Sequence, residues 1–104
     1  MSLINLRNTA AGLPEGWRSL ALGQVGPACV KVLRMDEMPV EAESHETAEA
    51  LLVLDGRLEL EVDERPVTVG AGELYMIPAR TSHTVRPGSR GTLVIVEIPE
   101  DEGR

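Results

Sequence analysis

The chain contains two histidines, His45 and His83, and the first lies among carboxylates in the stretch Glu43-x-His45-x3-Glu49. Positions 43 and 45 are two apart in a strand-like segment, so their side chains point to the same face. Glu49 shares the parity of Leu51 in the apolar run that follows, so it can project inward. Two imidazoles and two carboxylates from neighbouring strands suit Mn, Fe, Zn or Ni. Glu43, His45, Glu49 and His83 are therefore candidate ligands of a divalent transition metal.

The same stretch can also be interpreted as a solvated acidic turn that happens to contain a histidine. Five glutamates fall between positions 37 and 49, which is more than one metal site needs. Glu41 and Glu46 fit the role of ordinary surface charge best. Glu43 has an alternative to ligation, because its side chain can swing outward and leave water in its place.

Other groups with chemical potential are sparse. Three arginines lie near His83 in the sequence, with Arg80 before it and Arg86 and Arg90 after it. They either bind an anionic substrate or are solvated charges in loops. Cys29 is the only cysteine and is interpreted as a buried structural thiol. The sequence has no P-loop, no glycine-rich dinucleotide fingerprint and no serine nucleophile motif. No catalytic residue is therefore assigned.

The elements that must position the site are strands. Short apolar runs separated by turn residues every 8–12 positions are typical of an all-β fold. Asp55-Gly56 between two apolar runs predicts a two-residue hairpin, and Asp63-Glu64 marks a reversal with weaker turn chemistry. A short helical turn is predicted near Thr9–Ala11. The predicted strands are Ser19–Leu22, Cys29–Met35, Val40–Glu43, Ala50–Leu54, Arg57–Val62, Pro66–Val69, Leu74–Ile77, His83–Val85 and Leu93–Ile98. About nine short strands predict a single small antiparallel β-barrel or double-sheet jelly roll.

Size and charge limit the classes of function. The 104 residues suit one domain, with residues 1–18 as an N-terminal arm and residues 99–104 as a polar C-terminal tail. Trp17 and Tyr75 are the only aromatic residues, so an aliphatic core is expected. The formal net charge of −7 argues against nucleic-acid and anionic membrane partners. Without a signal-peptide pattern or an apolar run of roughly 18–20 residues, a cytoplasmic protein is expected.

Two spaced motifs resemble those of a known family. Glu43-x-His45-x3-Glu49-x6-Gly56, followed by Gly72-x5-Pro78-x-Arg80-x2-His83, is similar to the paired motifs of the cupins. Those are usually written G-x5-H-x-H-x3-4-E-x6-G and G-x5-P-x-G-x2-H-x3-N. The resemblance covers roughly residues 25–98 and implies a small single-domain cupin.

The resemblance implies that His45, Glu49 and His83 are metal ligands, with Glu43 at the position of the family's first histidine. Arg80 stands where the family usually has glycine, so its loop must avoid positive φ or tolerate the strain. Pro87 replaces the terminal asparagine. Three imidazoles and one carboxylate would leave a divalent site with a charge of +1, whereas two of each leave it neutral. A neutral site is a weaker Lewis acid, so redox or chelate-type chemistry is favoured over hydrolysis by a metal hydroxide.

Three functions stay open at this point. The resemblance implies a metal-dependent enzyme of oxygenase or isomerase type, acting on a small polar or carboxylate-bearing molecule. The alternative is a non-catalytic module that binds or senses a small ligand, with a metal site that has begun to degenerate. The third is a structural remnant of the fold. A homodimer is expected in each case, because strands that are apolar on both faces leave aliphatic surface that one small protomer cannot cover.

Overall fold

The computed structural model describes residues 3–38 and 40–99. A short helix, α1 (Leu6–Ala11), precedes the strands. Asn5 caps it, because its side-chain oxygen accepts a hydrogen bond from the Asn8 backbone nitrogen at 3.0 Å. The helix therefore begins ahead of the turn predicted near Thr9–Ala11. Within these residues no helix has the length and apolar character needed to cross a membrane.

The described residues form one antiparallel sheet of eight strands, which confirms the all-β prediction. The strands are β1 (Leu20–Val25), β2 (Ala28–Met35), β3 (Val40–Glu43), β4 (Glu49–Val62), β5 (Arg65–Gly70), β6 (Leu74–Ile77), β7 (His83–Val85) and β8 (Arg90–Glu97). The order is β1-β2-β8-β4-β7-β3, and β5 and β6 also pair with β4. Because the first half of β4 pairs with β6 and β8 and its second half with β5 and β7, the sheet curls into the half-barrel of a jelly roll. Residues 100–104 of the predicted C-terminal tail lie outside the described residues.

The hairpin predicted at Asp55-Gly56 is wrong, because β4 runs through it as one continuous strand. Gly56 does have a positive φ of 78°, but it lies within β4 directly opposite Gly91 of β8, next to an irregularity of the β4–β8 ladder between Val53 and Asp55. The Asp55 side chain accepts a hydrogen bond from the Thr92 backbone nitrogen at 3.1 Å, which ties the irregular position to β8. The positive φ expected at Asp55-Gly56 is therefore found at Gly56, but the chain does not reverse there.

The two-residue hairpin lies instead at Asp63-Glu64, where the turn chemistry looked weaker. Both residues have positive φ, 50° and 68°, and the flanking Val62 and Arg65 are paired. Positive φ at both central positions is the geometry of a type I′ turn. The register of the β4–β5 hairpin therefore overrides the poor intrinsic preference of aspartate and glutamate for this conformation.

The core lies on the concave face of the sheet and is aliphatic, as predicted. Its most buried members come from β4, where Val53, Leu58 and Leu60 are at most 1% exposed. Trp17 and Tyr75 pack against its edge. On the convex face a second cluster places Ala10 of α1 over Val32 and Val94. The sheet therefore encloses an apolar interior on one side and is covered by the helix over only part of the other.

Candidate metal centre

Antiparallel pairing brings the predicted ligands to one region of the concave face. Glu43 of β3 is directly opposite His83 of β7, and Glu49 of β4 is directly opposite Glu97 of β8. His45 follows β3 in the connection to β4, and its backbone oxygen accepts a hydrogen bond from the Arg80 backbone nitrogen at 2.6 Å. That bond joins the loop carrying His45 to the loop that precedes His83.

Three of the four predicted ligands form a compact donor set. Glu43, His45 and His83 each offer one ligand atom, and these atoms all lie within 4.8 Å of one another. His45 Nε2 is 2.7 Å from Glu43 Oε1, and the two imidazole ring centres are 5.8 Å apart. Burial increases inward through the set, since Glu43 is exposed, His45 intermediate and His83 buried.

Glu49 belongs to the same site through a different contact. Its Oε2 lies 3.1 Å from His83 Nε2, and both side chains are only 8% exposed. The carboxylate predicted as a ligand therefore faces the ring nitrogen that would bind an ion. Replacement of this direct contact by a shared metal requires only a small separation of the two groups.

The protonation of His83 is constrained from both sides of its ring. Nδ1 lies 3.0 Å from the Thr81 backbone oxygen, and since a carbonyl only accepts, Nδ1 carries a proton. The hydrogen bond that His83 Nε2 donates to Glu49 raises the pKa of His83, whereas burial lowers it by less. Burial raises the pKa of Glu49, but the hydrogen bond with His83, the charges of His83 and His45 and a hydrogen bond with Glu97 together lower it by more, so the net pKa falls. Without an ion, both pKa shifts favour the pairing of an imidazolium with a carboxylate.

This donor set fits a divalent transition metal. Imidazole nitrogens and carboxylate oxygens bind such ions at about 2.0–2.2 Å, so donors on opposite sides of an ion lie up to about 4.2 Å apart. The donor atoms of Glu43, His45 and His83 lie within 4.8 Å of one another, so an ion that draws them inward can be held by all three. The Thr81 contact also leaves Nε2 as the metal-binding nitrogen of His83, since metal-binding histidines usually donate their other ring N–H to a carbonyl, carboxylate or water.

All four predicted ligands line one cavity of about 210 Å³. The deeper walls are aliphatic and include Leu33, Leu51, Leu58, Leu60, Leu93 and Ile95. None of the three arginines considered in the sequence lines this cavity, and the Arg80 guanidinium pairs with Glu46 at 3.2 Å. Arg80 itself adopts a φ of 59°, so its loop tolerates the strain in a position where the family usually has glycine.

Sequence reasoning missed two residues of the cavity. Glu97 lies opposite Glu49 and is held by Lys31, whose Nζ is 2.6 Å from Glu97 Oε2. Alternation along β8 carries the signal, because Glu97 shares the parity of Leu93 and Ile95. Trp17 also lines the cavity, and no sequence pattern indicated that the N-terminal arm would reach it.

The family assignment follows from the match of a family model, described as Cupin_2, a cupin domain, to residues 34–99. The chain belongs to the cupin family. The matched segment contains Glu43, His45, Glu49 and His83, so the family assignment and the donor set concern the same residues. No curated protein sequence matches the chain.

Solved structures agree with the cupin fold. A cupin-2 domain containing protein from Shewanella frigidimarina is 20% identical, with a TM-score of 0.85 over 94% of this chain and 96% of that one. Protein NMB1881 from Neisseria meningitidis is 20% identical, with a TM-score of 0.80 over 93% and 99%. A cupin superfamily protein from Desulfitobacterium hafniense is 17% identical, with a TM-score of 0.75 over 96% and 97%. At these identities the likeness concerns the fold alone, and the site must be argued from this chain's own residues.

Proposed function

We propose that this cupin binds a divalent transition metal through Glu43, His45 and His83, with Glu49 as the fourth ligand, and holds a small molecule in the adjoining cavity. The observation that carries the proposal is that three donor atoms within 4.8 Å of one another open onto a cavity of about 210 Å³. When bound, the ion supplies a Lewis-acidic centre with open positions for a donor atom of the ligand.

The protein's own groups define what this centre can do. With both imidazoles neutral and both carboxylates ionised, the four ligands cancel the charge of a divalent ion. A neutral centre lowers the pKa of bound water less than a cationic one. Chelation of a ligand, and oxygenase- or isomerase-type chemistry on it, therefore rank above hydrolysis.

A non-catalytic binding module is the second candidate, and one observation favours it. Each histidine already has a carboxylate partner, Glu43 for His45 and Glu49 for His83, so the site is satisfied without an ion. A module of this kind predicts that a cavity ligand stabilises the protein and is recovered unchanged.

Elemental analysis of metal-loaded protein tests the proposal. The protein is incubated with Mn, Fe, Co, Ni or Zn, freed of excess ion, and compared with His45→Ala, His83→Ala and Glu43→Ala. We expect about one ion per chain in the parent protein and less than a fifth of that in each histidine variant. Glu37→Ala is the matched control, because Glu37 is exposed and does not line the cavity. Parent protein that retains well under one ion per chain with all five metals contradicts the proposal.

We also propose that the chain forms a homodimer through the convex face of the sheet. Apolar side chains of paired residues are exposed on that face. Leu74 is 57% exposed, Met76 is 54% exposed and Val96 is 37% exposed. Directly opposite neighbours on adjacent strands share a face, so the patch is continuous across β6, β4 and β8. A second copy of the same patch covers it in a two-fold dimer.

Sedimentation equilibrium of the parent protein and of Met76→Glu tests the dimer. We expect a dimer mass at micromolar concentration for the parent and a monomer mass for the variant. Met38→Glu is the control, because Met38 is 67% exposed but lies outside the sheet. A monomeric parent protein refutes the dimer.

A further inference from the structure

The charge of the cavity lining is one-sided. Its ionisable members are four glutamates and two histidines: Glu41, Glu43, Glu49, Glu97, His45 and His83. Among the described lining residues there is no lysine and no arginine. A ligand entering this cavity therefore meets carboxylates and, where a metal is bound, one divalent ion.

The nearest cation does not change this balance. Lys31 Nζ lies 2.6 Å from Glu97 Oε2, both side chains are about a fifth exposed, and Lys31 lines the neighbouring cavity. The hydrogen bond to Glu97 raises the pKa of Lys31, so the ammonium stays charged and paired. Lys31 thus offsets Glu97, a bound divalent ion offsets Glu43 and Glu49, and Glu41 still leaves the lining with negative charge.

Trp17 gives the cavity an apolar wall. Its backbone nitrogen donates to the Arg34 oxygen at 2.8 Å, and its indole Nε1 donates to Asp36 Oδ1 at 3.0 Å. These two bonds hold the residue at a φ of 65°, which non-glycine residues seldom adopt. Because the only polar atom of the indole is already bonded, Trp17 offers a ligand only ring surface, which suits apolar groups and cations.

The size of the cavity sets the size of the ligand. Its volume is about 210 Å³. An apolar cavity of about 150 Å³ is enough for a benzene ring, so this cavity has room for a single ring with one small substituent. Most of the deeper wall is leucine, so the inner part of such a ligand must be apolar.

We propose that this cavity selects uncharged or cationic small molecules with an apolar body and discriminates against carboxylates. For the end of the cavity that holds the metal ligands, this inference rests on the proposed function. The carboxylate-bearing ligand considered from the sequence lacks a cationic side chain as partner here, since each candidate arginine lies outside the lining. The selectivity comes from the acidic lining at one end and from Trp17 and the leucines at the other.

Trp17 is the only tryptophan, so its fluorescence reports ligands in this cavity directly. The probes are benzyl alcohol, benzylamine and benzoate, which share a phenyl ring and differ in charge. Each is titrated into metal-free protein and into protein loaded with Zn²⁺, which has a filled d shell and no redox activity. We expect benzyl alcohol and benzylamine to bind at least tenfold more tightly than benzoate in both forms. Benzoate binding equal to or tighter than that of the other two, or no fluorescence change with any probe, overturns the proposal.

Two further measurements separate the sources of failure. Zinc stoichiometry on the same samples reports the metal site independently, and the metal-free titration decides the ligand class even where no zinc binds. Glu97→Gln removes the partner of Lys31, so we expect benzoate to bind at least fivefold more tightly to this variant than to the parent. Glu37→Gln, which removes an exposed carboxylate outside the cavity, should leave all three affinities unchanged. Equal benzoate affinity in the parent and Glu97→Gln proteins contradicts the role given to the lining charge.

Discussion

Gly56→Ala is predicted to destabilise this protein severely, because β4 and β8 approach each other too closely for a side chain. A Cβ atom at Gly56 would lie 1.9 Å from the Arg90 backbone oxygen and 2.7 Å from the Arg90 carbonyl carbon. Ordinary contacts of this kind exceed 3 Å, so the two strands must separate by more than an ångström at a paired position. Both obstructing atoms are backbone, and no side-chain rotation relieves the contact.

The magnitude follows from comparison with Gly72→Ala. Gly72 has a φ of 82°, close to the 78° of Gly56, but a Cβ there meets nothing within 4 Å. The conformational cost shared by both variants is about 1–2 kcal/mol. The clash at Gly56 adds overpacking of about 3 kcal/mol, the upper part of the usual range, because backbone cannot yield as a side chain does. Gly56→Ala should therefore lose about 4–5 kcal/mol, and Gly72→Ala about 1–2 kcal/mol.

Urea unfolding followed by Trp17 fluorescence measures both losses. The parent, Gly56→Ala and Gly72→Ala proteins are compared at the same pH and without metal, and the free energies of unfolding are taken from the midpoints and slopes. A Gly56→Ala protein that is already largely unfolded without urea agrees with the prediction, provided that Gly72→Ala remains folded. Equal losses for the two variants, within about 1 kcal/mol, refute the close approach of β4 and β8 at this position.

Three other predictions concern the site and its loops. The raised pKa of His83 stabilises the fold fully below pH 6.5, and this stabilisation is lost as pH rises through the raised pKa. The lowered pKa of Glu49 stabilises the fold fully above pH 4.5, and this stabilisation is lost as pH falls through the lowered pKa. Metal-free protein should therefore melt at its highest temperature between about pH 4.5 and 6.5. The increase in melting temperature on adding Ni²⁺ should grow from pH 6 to pH 8, because the ion must displace the proton from His83. The same increase at every pH would contradict this competition between ion and proton. His83→Ala removes the imidazole that pairs with the buried Glu49 carboxylate, so urea unfolding of the metal-free protein at pH 6 should show a loss of about 3–5 kcal/mol. A loss below about 1 kcal/mol would show that the pair is not buried as described. Arg80→Gly relieves a φ of 59° at the cost of an exposed ion pair with Glu46, so it should gain up to about 1 kcal/mol in the same assay; a loss of stability would show that the arginine side chain stabilises the loop.

Much of the strand pattern could be predicted because burial imposes alternation. The bounds of β3, β6 and β7 are those expected from apolar runs and turn residues. The exception is Gly56, whose positive φ is used within a strand and not in a turn. Whether such a residue bends a strand or reverses the chain depends on its partner across the sheet, and local sequence does not contain that information.

The site was partly predictable for a similar reason. The spacing of Glu43, His45 and His83 identified a donor set that the structure brings together. Glu97 was missed because one glutamate between an apolar strand and an acidic tail resembles surface charge. Its parity with Leu93 and Ile95 indicates the inward face, and its register opposite Glu49 places it beside the predicted ligands. The turn was therefore misread for want of long-range register, whereas alternation along β8 could have identified the missed carboxylate.

The most direct test of the metal centre is an anomalous difference map from crystals of cobalt-loaded protein. We expect one strong peak within about 2.0–2.2 Å of ring nitrogens of His45 and His83 and of a Glu43 carboxylate oxygen. We also expect Glu49 to turn from His83 toward the ion. A map with no peak at this position, with His83 Nε2 still hydrogen-bonded to Glu49 while cobalt binds elsewhere on the chain, would contradict the proposed function.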